Sequence, residues 1–395
     1  MKLEIACLGQ VDRAEIRWGD LTVMIGPQAS GKSLIAQTWK LVLDAPFIQS
    51  LLHQYGYTWE TPGDFLWLYF GSGYERIGQD NTRIAKDGKE VELQELANAR
   101  RQGKPYERVF YIPAQRVLSL AGGYGWPLPF KRFEPGTPFV LAQYSEENRK
   151  FLDECFPDDD DVIFPSIRYL PDDLRDRLFQ SVYRGVTLIA ERNLRERLVL
   201  EVQDTGARLP FASWSAGQQG FTPLLLGLYQ LLPTELGIKR GAYEWVVIEE
   251  PETGLHPNSI EAVLLAIAHL LKRGYRVILT TSSETIVECL WLVQRLRRAR
   301  PDQSSKALAM YLYSPSWANR LPTVSLEQLE LSQSFVQKDV RVYFSRPLSD
   351  GKVVVADISS LDAWDENPDV AGWGGLTTST EMACHLLPQA LSGNL

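Results

Sequence analysis

Apolar positions along this chain fall in short unbroken runs, and the segments between them repeat their apolar residues at helical spacing. The run LTVMI at 21–25 leads into a glycine-rich turn and then into KSLIAQTWKLVLD. That order predicts a strand, a tight loop and a helix. RVFYIP at 108–113 predicts a second strand, WVVIE at 245–249 a third, and YRVILTT at 275–281 a fourth, the last preceded by the helical pattern SIEAVLLAIAHLLKR. Strands that are apolar throughout, alternating with helices, need cover on both faces. The expected fold class is α/β with a mainly parallel sheet.

Between these runs the texture changes. Residues 125–210 are rich in proline, aromatics and paired charges and are expected to form an inserted, mainly helical lobe without the long heptads of a coiled-coil arm. The acidic run PDDDD at 157–161 lacks the alternating ligands of a calcium loop and reads as a solvated loop. After position 305 short strands and turns return, and the LSDGK at 348–352 predicts a hairpin. The expected division is an N-terminal core part (1–124), the lobe (125–210), a second core part (211–305) and a C-terminal α+β extension (306–395).

With 395 residues, 45% hydrophobic and 23% charged, the chain has the composition of a soluble globular protein. A net charge of −8 argues against coating DNA by bulk electrostatics but leaves room for a local basic groove. The best local cluster is Arg295, Arg297, Arg298 and Arg300, whose plainer reading is a solvated helix end. Cys7, Cys155, Cys289 and Cys384 lie far apart and are expected to be reduced thiols. The N-terminus has no signal-peptide core, and no run reaches the ~18 apolar residues of a membrane span. A cytoplasmic protein with no membrane partner is expected.

Chemistry concentrates in three motifs. GPQASGKS, formed by Gly26, Pro27, Gln28, Ala29, Ser30, Gly31, Lys32 and Ser33, fits the phosphate-binding loop pattern at the end of a strand and the start of a helix. Its glycines let backbone N–H groups wrap a phosphate, Lys32 brings a cation to the β- and γ-phosphates, and the Ser33 hydroxyl can ligate Mg²⁺. WVVIEEPE delivers two carboxylates beside that loop: Glu249 as a Mg²⁺ ligand and Glu250 as the group that polarises the attacking water. SAGQQ at 215–219 opens another apolar helix, and its N–H groups and Ser215 hydroxyl suit a second anion. The loop already surrounds its own phosphates, so this helix start points to a nucleotide on a second chain.

The order GPQASGKS, SAGQQ, VVIEEPETGLHP, ILTTSSE resembles the ATP-binding-cassette superfamily. Within it the chain looks like the soluble heads of structural-maintenance-of-chromosomes, RecF-type and overcoming-lysogenization-defect ATPases, the last sharing EEPETGLHP with bacterial defence ATPases. The resemblance covers 1–40 and 105–290. It implies an ABC-type P-loop NTPase head that binds ATP and Mg²⁺, with Ser215, Gly217 and Gln218 as the signature contacting a partner's ATP and Gly254, Leu255 and His256 in the D-loop. It also implies Gln115 as the Q-loop residue sensing Mg²⁺ and the γ-phosphate; a strand-end polar residue is the alternative.

Two positions depart from the family pattern. Ser282 stands where members carry a switch histidine, which implies slow hydrolysis with ATP binding as the signal. Glu249 stands where aspartate is commoner. No Asp-x-Asp pair follows position 305, and Asp362 and Asp365 in LDAWDENPD read as a turn, so a nuclease activity belongs to another protein. The expected function is a dimerising ATPase that regulates an effector, a nuclease or a toxin. The alternatives are a DNA-binding repair clamp, with nucleic acid an open partner, and a transporter's nucleotide-binding subunit.

Overall fold

The structure is a computed structural model describing residues 1–99, 105–234, 242–314 and 323–377. Cys384 and the rest of the last eighteen positions of the expected C-terminal extension lie outside them. In chain order the elements that position the site are β1 (Lys2–Leu8), β2 (Val11–Arg17), β3 (Leu21–Ile25), α1 (Lys32–Gln54), α2 (Pro62–Phe70), β4 (Gly78–Lys86), β5 (Lys89–Glu90), α3 (Leu93–Ala97) and β6 (Val109–Ile112). The lobe follows with α4 (Phe139–Cys155), β7 (Asp161–Phe164), α5 (Asp172–Ser181), β8 (Val186–Glu191), β9 (Arg197–Val202) and β10 (Arg208–Pro210). The chain then returns through α6 (Ala216–Leu231), β11 (Trp245–Glu249), α7 (Pro257–Lys272), β12 (Arg276–Thr281), α8 (Glu284–Leu296), α9 (Pro301–Tyr313), α10 (Leu326–Val336), β13 (Val340–Pro347) and β14 (Val353–Asp357).

One sheet runs in the order β5-β4-β1-β2-β14-β13-β3-β12-β11-β6. Its half from β13 to β6 is parallel, whereas β5, β4, β1 and β2 pair antiparallel. The expected mainly parallel sheet is therefore the half that carries the phosphate loop. Every residue of β3, β6 and β11 is buried, because side chains alternate between two covered faces. Val246 and Ile248 pack with α6, α7 and α8, while Trp245 and Val247 pack with α1 and α2. On that second face Trp39 meets Trp18 and Trp245 at ring-centroid distances of 5.0 and 5.3 Å.

The lobe corrects one expectation. Residues 125–210 hold two helices, but also a four-stranded antiparallel sheet, β10-β9-β8-β7, absent from the mainly helical picture. Leu188, Ala190, Leu198 and Leu200 alternate inward on β8 and β9 against the core, and Arg208 ties the outer face through Asp160, Glu191 and Glu201. Asp159 accepts the main-chain N–H groups of Arg192 and Asn193, so PDDDD is a turn serving this sheet.

The LSDGK hairpin forms between β13 and β14, closed by Leu348 N–H donating to Lys352 O at 2.7 Å. Its strands enter the main sheet: β13 runs parallel to β3, and β14 parallel to β2. The segment after 305 is thus built into the sheet beside the phosphate-loop strand. Of the basic cluster, Arg295 pairs with Asp362 at 2.8 Å, and Arg297 donates to Val336 O and Gln294 Oε1. Asp362 and Asp365 shape a turn as expected.

Candidate active site

The phosphate loop leaves β3 after Ile25 and re-enters α1 through Gly31 in the left-handed region (φ 79°). A Cβ there would stand 2.7 Å from Val11 Cγ2, so the loop presses on β2 and only glycine fits. Pro27, Gln28 and Ala29 form an exposed rim, and Lys32 is buried behind it at 7% exposure. Its Nζ donates to Gly26 O and Pro27 O, both at 2.7 Å, and to Ser30 Oγ at 3.3 Å. Burial pulls the Lys32 pKa below its usual value, against the pull of Glu250, Glu249 and Glu252. The loop's own carbonyls and the Ser30 hydroxyl thus enclose the Lys32 ammonium.

Parallel pairing of β11 with β12, and of β12 with β3, brings the ends of these strands to one edge of the sheet. Glu249, at the end of β11, is 3% exposed. Its Oε2 accepts the Ala114 N–H at 3.1 Å, while Oε1 is buried without a hydrogen-bond partner. Burial pushes its carboxyl upward, opposed by Ser33, the Ala114 N–H and Tyr111. A buried carboxylate oxygen with an open lone pair beside the loop serine is a donor set suited to a hard divalent cation, so the residues fit Mg²⁺.

Glu250 adopts φ 42°, a conformation that costs a non-glycine residue about 1–3 kcal/mol and persists only when neighbours impose it. Its N–H donates to Thr280 O at 2.9 Å, and Thr253 Oγ1 donates to its Oε2 at 3.4 Å. Glu250 itself is half-buried at the sheet edge. Glu252, which the motif quoted without a role, accepts Thr281 Oγ1 at 2.6 Å and the Ser282 N–H at 2.8 Å through Oε1. That fixes the end of β12 and leaves Ser282 exposed between the loop strand and the acidic strand.

Gln115 follows β6, exposed, one residue after the Ala114 N–H that holds Glu249. Its neighbour Arg116 went unnoticed in sequence because a single basic residue after an apolar strand carries no spacing signal. Arg116 is 1% exposed and lies under the acidic strand end.

Ser215 caps α6 with its Oγ accepting the Gln218 N–H at 3.3 Å, while Gln218 Oε1 accepts the Ser215 N–H at 3.1 Å. Gln218 also donates to Val182 O at 3.3 Å, so its amide is spent on the cap and the lobe. Ser215 and Ala216 remain exposed. Gly217 abuts Gly254, and His256 caps α7 by accepting the Asn258 N–H. Lys32, Ser33, Glu249 and Glu250 thus gather on one sheet edge, whereas the start of α6 is fastened to the turn at Gly254.

Residues 138–288 match the family described as "AAA domain, putative AbiEii toxin, Type IV TA system". The matched segment takes in Ser215, the acidic strand, Gly254 and Ser282 but begins after the phosphate loop. Among solved structures, the chain is similar to an SMC head bound to the C-winged helix domain of ScpA, at 9% identity over 90% of this chain and 96% of that one, TM-score 0.42. An SMC head domain from Thermotoga maritima matches at 12% identity, covering 90% and 97%, TM-score 0.34. A dimeric bacterial ABC transporter cassette matches at 10% identity, covering 72% and 90%, TM-score 0.32. No curated protein matches the chain. Among the described residues no helix is long and apolar enough to cross a membrane.

Proposed function

We propose that this chain, a P-loop ATPase of the cassette type, closes as a dimer around ATP and through that closure regulates a separate effector, a nuclease or a toxin, in bacterial or phage-related defence. The observation that carries the dimer is the exposed first turn of α6. It is held against the D-loop of its own chain through Gly217 and Gly254, while Lys32 is enclosed by a different loop. An exposed helix start fastened there is suited to the nucleotide of another protomer. The toxin–antitoxin description of the matched family supports the defence part of the reading.

In this reading Lys32 and the loop N–H groups hold the β- and γ-phosphates, and Ser33 and Glu249 hold Mg²⁺, which supplies charge neutralisation there. Glu250 orients a water toward the γ-phosphorus and takes its proton as the bond to the β-phosphate oxygen breaks. Gln115 senses the γ-phosphate from the end of β6. Ser282 donates a hydrogen bond but exchanges no charge near neutral pH, so turnover is slow and ATP binding is the signal. The internal ties of Arg295 and Arg297 weigh against a DNA clamp built on that cluster.

Light scattering of Glu250→Gln with and without ATP tests the dimer: a doubled mass with ATP is expected, and a monomer at saturating ATP overturns it. Co-expression with the products of adjacent reading frames tests the effector, with growth and co-purification as readouts. If none of those products binds the chain or changes growth in its presence, the effector reading fails.

A further inference from the structure

The buried Arg116 guanidinium spends its hydrogen bonds on main-chain carbonyls. Nε donates to Gly220 O of α6 at 2.9 Å; Nη1 donates to Pro113 O at 3.5 Å and Glu249 O at 3.0 Å; Nη2 donates to Glu250 O at 3.2 Å and Pro251 O at 3.4 Å. Burying a cation costs several kcal/mol unless its donors are satisfied. Burial pulls this pKa down, with Tyr144 and the carboxylates of Glu252, Glu250 and Glu249 opposing. A guanidinium keeps its charge even so, and its planar fork reaches two segments at fixed separation. One side chain therefore bolts the signature helix to three consecutive residues of the acidic strand end.

Glu250 is pinned from both sides. Its N–H is held by Thr280 and its carbonyl by Arg116, so its strained φ of 42° is set between them. A shift of α6 moves Gly220 O and, through the fork, the Glu250 carbonyl. We propose that Arg116 is the positioning residue that couples engagement of the signature helix to the placement of the Glu250 carboxylate. This inference rests on the ATPase reading of the site.

The test compares full-length R116K and R116Q with wild type and Glu250→Gln in ATP binding and turnover. Lysine keeps the charge but cannot span helix and strand end as a fork. Both variants are expected to bind ATP with KM within about twofold of wild type, since Arg116 touches none of the loop. Their kcat is expected to fall roughly 10–100-fold, the cost of a small misplacement of a reacting group. A wild-type kcat in either folded variant, or a rise in KM that accounts for the whole loss, overturns the inference.

Absence of ATP turnover in the wild-type chain would instead sink the ATPase reading, so the two failures are separable. If both arginine variants melt below the assay temperature, Gly220→Ala probes the same joint from the helix side. Its Cβ would meet Thr253 O at 3.3 Å and press α6 off the strand end. A fall in kcat at constant KM supports the coupling, and unchanged kcat overturns it.

Discussion

A Cβ on Gly217 would stand 2.8 Å from the carbonyl oxygen of Gly254, so the signature helix and the D-loop meet backbone to backbone. Any side chain there must part them. Both elements belong to the expected dimer seam, and no side chain separates them there.

From that seam comes the complementation experiment. Ser215→Arg places a bulky cation at the exposed start of α6 and leaves the loop of the same chain untouched, so it should fold and bind ATP yet fail to hydrolyse it. Mixed with Lys32→Ala, one composite site reappears, pairing the intact loop of one chain with the intact signature of the other. Turnover should recover in the mixture alone. Full activity of Ser215→Arg by itself would assign the pocket to one chain.

Lys32→Ala should abolish ATP binding, because Lys32 is the side-chain cation that the loop's carbonyls enclose. A fluorescent-nucleotide titration checks it: binding at wild-type affinity would remove the site from this loop.

Glu250→Gln keeps shape and loses the base. Turnover should drop by roughly 10²–10⁴ while ATP binding persists, as expected for removal of a general base. Single-turnover hydrolysis at the wild-type rate would mean that another group holds the water.

A pH prediction comes from the opposite end of β6. Lys40 Nζ, fully buried, lies 3.2 Å from Asp44 Oδ2 and 2.5 Å from Glu107 Oε1. Burial pushes the Glu107 carboxyl up to about 7, although Lys40 opposes the shift. An unfolded glutamate titrates near ~4.3. The folded state therefore keeps a proton that the unfolded chain has released, and this group's contribution to stability is greatest below pH ~4.3 and is lost as pH rises to about 7. The slope is on the order of 1 kcal/mol per pH unit at most. In urea melts between pH 5 and 7, Glu107→Gln should flatten that slope; an unchanged slope would assign it to other groups.

The strands at 21–25, 245–249 and 275–281 were legible because both of their faces are buried, which leaves an uninterrupted apolar run. β1 and β2 alternate buried with partly or fully exposed residues, with charges such as Glu4 and Arg13 between apolar ones, and resemble no such run. The lobe sheet was hidden because its strands are short and α5 separates β7 from the other three. In the site, residues that touch a nucleotide announce themselves by spacing. Arg116 and Glu252 act through carbonyls and strand ends, contacts that only the folded chain creates.

The position of β13 has a consequence for how the molecule is made. The strand flanking β3 comes from more than 300 residues downstream, since Phe344 pairs with Ile25. Until β13 docks, the phosphate-loop strand has an open edge, of the kind that pairs with other chains. Gly26 also lacks the Ser345 carbonyl, against which a Cβ there would stand at 2.8 Å. Such a distant pairing closes late and slowly. During synthesis, competence to grip nucleotide should therefore arrive in one step with the hairpin, so a nascent or prematurely terminated chain carries the loop sequence without a working loop.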